Sequence, residues 1–304
     1  MIYYGIIIII IIIVVFLIIH GVHTNTLLTN FSNCQFPSPS VSALENTNKI
    51  IWSYWHTNER PLTVNLAINT WYKHNPNYLI CILSADTVNK YLDINILPKN
   101  YNKVSLQRKS DIIRLALLEK YSGVWLDASL FVSQSLDLLW DSDKEDYEVG
   151  GYYAEFFTSD KKHPVLESWF IAAPKNSKLI KAWKDEFYKG VDSDNYDLYT
   201  EEMEKTVNLQ NIDGKVYLMI HCCFLKVISK GSWKWKMFPA GKNNGPLSYI
   251  VKNNWNIATA VLYLLTSEDP LPPIVKLRGG ERMIINWLIY YMKNKSMMHQ
   301  LIVN

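Results

Sequence analysis

None of the 31 lysine and arginine residues of this 304-residue chain precedes Lys49, and Glu45 is the only acidic residue before it. An uncharged leader therefore stands in front of a charged, globular body. Met1 to Ile19 carries no charged side chain, and Ile6 to Ile19 is an unbroken apolar run. At 1.5 Å per residue, Met1 to Ile19 as a helix spans roughly 28 Å, close to the ~30 Å hydrocarbon core of a bilayer. Tyr3 and Tyr4 stand at one end, where aromatic rings favour the interface, and His20 ends the run. The expectation is a single transmembrane anchor over residues 1–20. A cleaved signal peptide is the competing reading, but no basic residue leads the run and no A-x-A pattern follows it. Neither flank carries Lys or Arg, so the positive-inside rule gives no orientation. Residues 21–48, rich in Asn, Ser, Thr and Pro, read as a flexible stem. Asn30-Phe31-Ser32 and Asn294-Lys295-Ser296 are glycosylation sequons, meaningful for a lumenal body. The expected location is the membrane, with the body in the secretory lumen or at the membrane surface.

From Lys49 onward short apolar runs alternate with helical patterns, the mark of an α/β domain. Strands are expected at 50–55, 78–83, 124–127, 130–132, 150–157 and 168–172. Helices are expected at 61–74, 84–92, 110–121, 177–189, 216–228 and 279–293, with another inside 190–214. Residues 93–107 read as a loop and 136–148 as an acidic surface connection. Residues 49–304 are long enough to bury one core without metal or disulfide staples. The four cysteines, Cys34, Cys81, Cys222 and Cys223, form no CxxC pair, which argues against a zinc module and a disulfide scaffold. A net charge of +3 is too mild to point to nucleic acid. Neither a P-loop nor the kinase signature set is present.

Chemistry concentrates between Arg108 and Ser129. The middle of the helix is apolar nearly all round, yet Asp111 and Arg114 share a face three residues apart. Two readings stand side by side. One is a capped helix start with Ser110 as N-cap and a local ion pair. The other is a site wall on which Asp111 binds ligand hydroxyls and Arg114 a phosphate. Period-two geometry then places Val124 and Leu126 on one face of the next strand, and Trp125 and Asp127 on the other. Asp127 ends that strand at its carboxyl end, where open α/β sheets bind ligands. It either caps the following turn or holds a divalent metal, since Mn²⁺ and Mg²⁺ often need only one or two protein carboxylates beside phosphate.

These residues carry a family resemblance. Ser110-Asp111-Ile112-Ile113-Arg114, Gly123 and Val124-Trp125-Leu126-Asp127 resemble the S-D-x-x-R … G-G-x-[YW]-x-D core of glycosyltransferases with a DXD-type sugar-binding region. The likeness is to capsular polysaccharide synthesis proteins and the related glycosyltransferase family 32. Lys49 to Trp55 resembles the family's first strand, and Trp71-Tyr72-Lys73-His74-Asn75-Pro76-Asn77-Tyr78 its S-W-x-x-x-N-P-x-[YW] segment. Ser168-Trp169-Phe170-Ile171-Ala172 resembles the capsular S-S-W-F-I-A stretch, and Pro273-Ile274-Val275-Lys276-Leu277 its late P-x-x-K-L element.

The resemblance implies a GT-A fold, a Rossmann-like nucleotide-diphospho-sugar transferase domain. It implies a nucleotide-sugar donor, UDP- or GDP-linked, a carbohydrate acceptor, and retention of anomeric configuration. Trp55 matches the tryptophan that stacks on the base, Asp111 the aspartate on the donor sugar, and Arg114 the arginine near sugar and diphosphate. Ser110 belongs to the same donor-binding motif. Asp127 matches the first aspartate of DXD, so Mn²⁺ or Mg²⁺ is expected there, with Ser129 as a weak ligand because the second carboxylate is missing. Ser122 replaces the first glycine of Gly-Gly. Lys276 reads either as a surface lysine or as a group that neutralises the leaving diphosphate. His221 reads as a core histidine in preference to an acceptor-site base. Trp233 and Trp235 are a sugar platform or half of a packed hairpin. The missing second carboxylate also motivates a rival reading, a non-catalytic carbohydrate-binding protein on the same fold.

Overall fold

The computed structural model describes residues 36–140, 146–242 and 244–303. The expected anchor, the Asn30 sequon and the stem before residue 36 lie outside them. Among the described residues no helix is long and apolar enough to cross a membrane. The first elements are α1 (Val41–Leu44), β1 (Ile50–Tyr54), α2 (Leu62–His74), β2 (Leu79–Leu83), α3 (Leu106–Tyr121), β3 (Gly123–Leu126) and β4 (Leu130–Val132). Next come β5 (Val149–Tyr153), β6 (Leu166–Ala173), α4 (Lys178–Val191), α5 (Tyr196–Glu204), α6 (Met219–Ile228) and β7 (Trp235–Pro239). The last are α7 (Ser248–Lys252), α8 (Ile257–Thr266), β8 (Ile274–Lys276), α9 (Gly279–Leu288) and α10 (Met297–Val303).

Among the described residues six strands form one mixed sheet in the order β2-β1-β3-β6-β5-β7. β1 runs parallel to β2 and β3, with Ile50 beside Leu79 and Trp52 beside Trp125. β6 is antiparallel to both β3 and β5, and β7 runs parallel to β5. β4 and β8 make a separate antiparallel pair in which Leu130 faces Lys276. The period-two reading of the strands holds. Ile51, Val124 and Leu126 pack with α2 and the C-terminal helices, while Ile50, Trp52 and Trp125 pack with α3, α4 and α6. Each face of the sheet thus buries its own apolar core, which is why these strands are apolar on both sides.

The helix expected from Ser110 starts one turn earlier. Ser105 is its N-cap, with Oγ accepting from Arg108 N at 3.3 Å. Arg108 and Lys109 sit near the positive end of the helix dipole, so this turn reads as loop in the sequence. The expected helix 84–92 is reduced to a 3₁₀ turn, Val88–Lys90. The strand expected over 150–157 stops at Tyr153, because Ala154 O turns back to accept from Phe157 N and Thr158 N. Trp235 opens edge strand β7 opposite Val149, and Trp233 Nε1 donates to Val227 O at 3.3 Å. Both tryptophans pack on the core of the α4 face, but β7 runs parallel to β5, so the expected hairpin is not formed.

The Ser122-Gly123 turn shows why the position favours glycine. Gly123 has φ +100°, and a Cβ there would meet Ile50 O at 2.5 Å. Ser122 has φ 67° and ψ −165°, a region nearly exclusive to glycine, and its buried Oγ has no hydrogen-bond partner. Relief of this strain, less the entropy a new glycine adds to the unfolded chain, should make Ser122→Gly more stable by about 1 kcal/mol. Thermal unfolding should rise by about 2–4 °C. A lower midpoint would mean that the serine side chain stabilises the turn.

Candidate active site

A cleft of about 660 Å³ opens at the carboxyl ends of β1 and β3. That volume is in the range of small-molecule sites, and the location is the expected one for an open α/β sheet. Trp55, Ser110, Asp111, Arg114, Asp127, Ser129 and Lys276 all line it. The strand pairing explains the convergence. β3 delivers Asp127 from the sheet centre, α3 lays Asp111 and Arg114 beside it, and the β4–β8 pair brings Lys276 from 149 residues away.

Asp127 is the hub. Its Oδ1 accepts from Arg114 Nη2 at 2.9 Å and from Trp125 Nε1 at 3.0 Å. Its Oδ2 accepts from Lys276 Nζ at 2.7 Å. Burial pushes this carboxyl up, but Lys276 and Arg114 outweigh burial and hold it at about 2. The Asp111–Arg114 pair is also real, with Nη1 2.8 Å from Asp111 Oδ1. Arg114 Nη1 and Nε nonetheless lack an aligned acceptor, although the residue is buried. Burial raises the Asp111 carboxyl, against the lowering pull of Arg114, His221 and Arg108, while Asp127 adds to the rise. The ion pair of the first reading is present, though Ser105 rather than Ser110 caps the helix, and the pair lines the cleft as the second reading has it.

The expected metal pair, Asp127 and Ser129, has another occupant. Lys276 Nζ lies 2.7 Å from Asp127 Oδ2 and 3.2 Å from Ser129 Oγ, so its ammonium fills the position between them. A divalent ion ~4 Å from that ammonium would be repelled by about 8 kcal/mol at an effective dielectric of ~20. Among the described residues no group of three or more His, Cys, Asp and Glu side chains could hold a metal. The donor set does not fit a resident Mn²⁺ or Mg²⁺, and the metal expected on Asp127 and Ser129 is not met by this geometry.

His221 departs from its core reading. It is buried, but both ring nitrogens lack a hydrogen-bond partner and the residue lines the cleft. Its Nε2 is 3.7 Å from Glu167 Oε2, a residue at the start of β6 that also lines the cleft. Sequence reasoning missed Glu167 because it precedes the apolar S-W-F-I-A run, where a carboxylate looks like a strand end. It also missed Arg282 on α9, whose guanidinium lies 5.1 Å from the Trp55 ring centre. Burial lowers the Arg282 pKa, and the Asp127 charge opposes that shift.

The family model described as capsular polysaccharide synthesis protein matches residues 24–254 of this chain. The O-glycosyltransferase braB of Annulohypoxylon truncatum is 29% identical over 161 residues, covering 47% of this chain and 38% of its own. The glycosyltransferase afumC of Aspergillus fumigatus is 27% identical over 158 residues, covering 47% and 40%. The match thus spans about two fifths of the length of these relatives. The glycosyltransferase GlyE of Streptococcus pneumoniae TIGR4 aligns over 84% of this chain and 62% of its own, with 11% identity and a TM-score of 0.42.

Proposed function

The chain belongs to the capsular polysaccharide synthesis protein family, and on that footing we propose that it is a GT-A glycosyltransferase moving a sugar from a nucleotide diphosphate to a carbohydrate acceptor. The observation that carries this reading is the convergence of Asp111, Arg114, Asp127 and Lys276 on one cleft at the carboxyl edge of the sheet. The donor is a UDP- or GDP-sugar. Retention of configuration follows from the family resemblance and is part of the proposal.

The chemical demand is charge on the leaving group. As the anomeric C–O bond breaks, the diphosphate gains negative charge and the sugar becomes oxocarbenium-like. Arg114 has N–H groups with no aligned acceptor, and a phosphate oxygen would satisfy them. Lys276 adds a second fixed positive charge beside it. Preorganised cations of this kind favour the transition state because no reorganisation is needed as charge develops. Asp127 holds both cations in place. Asp111 accepts hydrogen bonds from sugar hydroxyls and orients the ring. Trp55, with Arg282 on its ring, offers an aromatic surface for the base.

His221 and Glu167 complete the sugar pocket in this reading. A buried imidazole with neither nitrogen hydrogen-bonded costs about 1–3 kcal/mol, which sugar hydroxyls would recover. His221→Leu should weaken binding of an intact nucleotide sugar about tenfold, while leaving the bare nucleoside diphosphate unaffected. Calorimetric titration of both ligands separates this from a structural role, which would weaken both alike.

Residues 1–20 are proposed to anchor the body to a membrane, on the strength of their uncharged apolar run. Thermal-shift screening of UDP, GDP and their sugar conjugates tests the donor assignment, because a bound ligand raises the unfolding midpoint. Stabilisation by one nucleotide series and its sugars supports it. Stabilisation by free saccharides alone favours the carbohydrate-binding reading.

A further inference from the structure

We propose that Lys276 takes the place of the divalent cation in this site, so that donor binding and sugar transfer are metal-independent. The inference rests on the glycosyltransferase reading for its substrate and on the cleft geometry for its chemistry. Three features build the position. β8 pairs with β4 so that the Lys276 backbone lies opposite Leu130, one residue past Ser129. Lys276 N donates to Pro246 O at 3.0 Å, and its carbonyl accepts from the Tyr249 hydroxyl at 2.8 Å. The strand end is therefore fixed on both sides. The side chain is nearly buried, with Nζ donating to Asp127 Oδ2 at 2.7 Å and to Ser129 Oγ at 3.2 Å.

An ammonium carries three N–H donors. Two are used on Asp127 and Ser129, and the third remains for a ligand in the cleft that Lys276 lines. Asp127 thus does for Lys276 what a DXD aspartate does for a metal: it anchors a cation where the diphosphate sits. This also accounts for the missing second carboxylate. A divalent ion needs further anionic ligands to balance its charge, whereas one ammonium beside one carboxylate is already neutral. Arg114, on the opposite oxygen of Asp127, supplies the second positive charge. In the transfer step the acceptor oxygen bonds to the anomeric carbon as the C1–O bond to the diphosphate breaks. The electron pair leaves on the diphosphate between Lys276 and Arg114, and the acceptor proton passes to the departing phosphate or to water.

The test uses the full-length protein. Titration with Mn²⁺, alone and with UDP or GDP present, should show no saturable site on the protein. UDP or GDP affinity should be the same in EDTA as in excess Mn²⁺. Lys276→Gln should weaken nucleoside diphosphate binding in EDTA by tenfold or more, and Lys276→Arg should weaken it less. A saturable Mn²⁺ site on the wild type, or nucleotide binding that EDTA abolishes and Mn²⁺ restores, overturns the proposal. If Lys276→Gln does not fold, the wild-type comparison decides alone. Failure of both nucleotides to bind in either condition would remove the donor reading, while the Mn²⁺ titration still answers for the metal.

Discussion

Replacement of Asp127 by Asn is expected to lower sugar transfer by at least a hundredfold and to destabilise the fold at neutral pH. The activity loss follows from the hub geometry. Asn can accept from one cation but cannot neutralise Arg114 and Lys276 together, and removing a preorganised electrostatic contact typically costs about 3–4 kcal/mol of transition-state stabilisation. The stability loss follows from the charges left behind, because both cations are nearly buried and removing the partner of a buried pair costs about 3–5 kcal/mol. The pH dependence has a fixed sign. The folded carboxyl at about 2 lies below its unfolded value of about 3.9, so its contribution is fully present above about pH 4. That contribution, about 2.5 kcal/mol, is lost as pH falls toward 2. Urea unfolding of wild type and Asp127→Asn should therefore show a gap that narrows between about pH 4 and 2. A gap independent of pH would mean that the carboxylate charge does not hold the site together.

Arg114→Met is expected to be the second most damaging change. It removes the cation between Asp111 and Asp127 and, in the proposed reaction, one of two positive charges on the leaving group. Transfer should fall by about 10²–10³-fold. Stability should fall as well, and here the loss should shrink at a higher pH than for Asp127→Asn. Without Arg114 the Asp111 carboxyl, already raised by burial, stands higher still above its unfolded value. A carboxyl raised in the folded state costs stability above the unfolded pKa, and that cost disappears once both states are protonated. The variant should therefore recover stability, relative to wild type, on mild acidification. Loss of stability that is equal at pH 7 and pH 5 would indicate that packing on Trp125, 4.9 Å away, matters more than charge.

Much of this was legible in the sequence, and the reasons are specific. The strands 50–55, 78–83 and 124–127 could be read because parallel central strands are apolar throughout and bounded by turn residues. Asp111, Arg114 and Asp127 stood out because each interrupts an apolar element with a charge. Ser105 was hidden behind a first turn carrying Arg108 and Lys109, the wrong sign for a helix start. α8 (Ile257–Thr266) was hidden because its nearly uniform apolar composition shows no periodicity. Lys276 was ambiguous because its role depends on a contact with Asp127 across 149 residues, which local spacing does not contain. Glu167 and His221 share that difficulty, since only the packing of α6 against β6 brings them together.

The central claim is that the cleft binds and activates a nucleotide sugar through Asp127. The most direct measurement is release of free sugar from UDP-glucose, UDP-galactose, UDP-N-acetylglucosamine and GDP-mannose by the full-length protein, wild type beside Asp127→Asn. At least one donor should yield sugar and nucleoside diphosphate in equal amounts with the wild type, and the variant should lose this activity. Carbohydrate binding with no turnover of any donor, or turnover unchanged in Asp127→Asn, would contradict the claim.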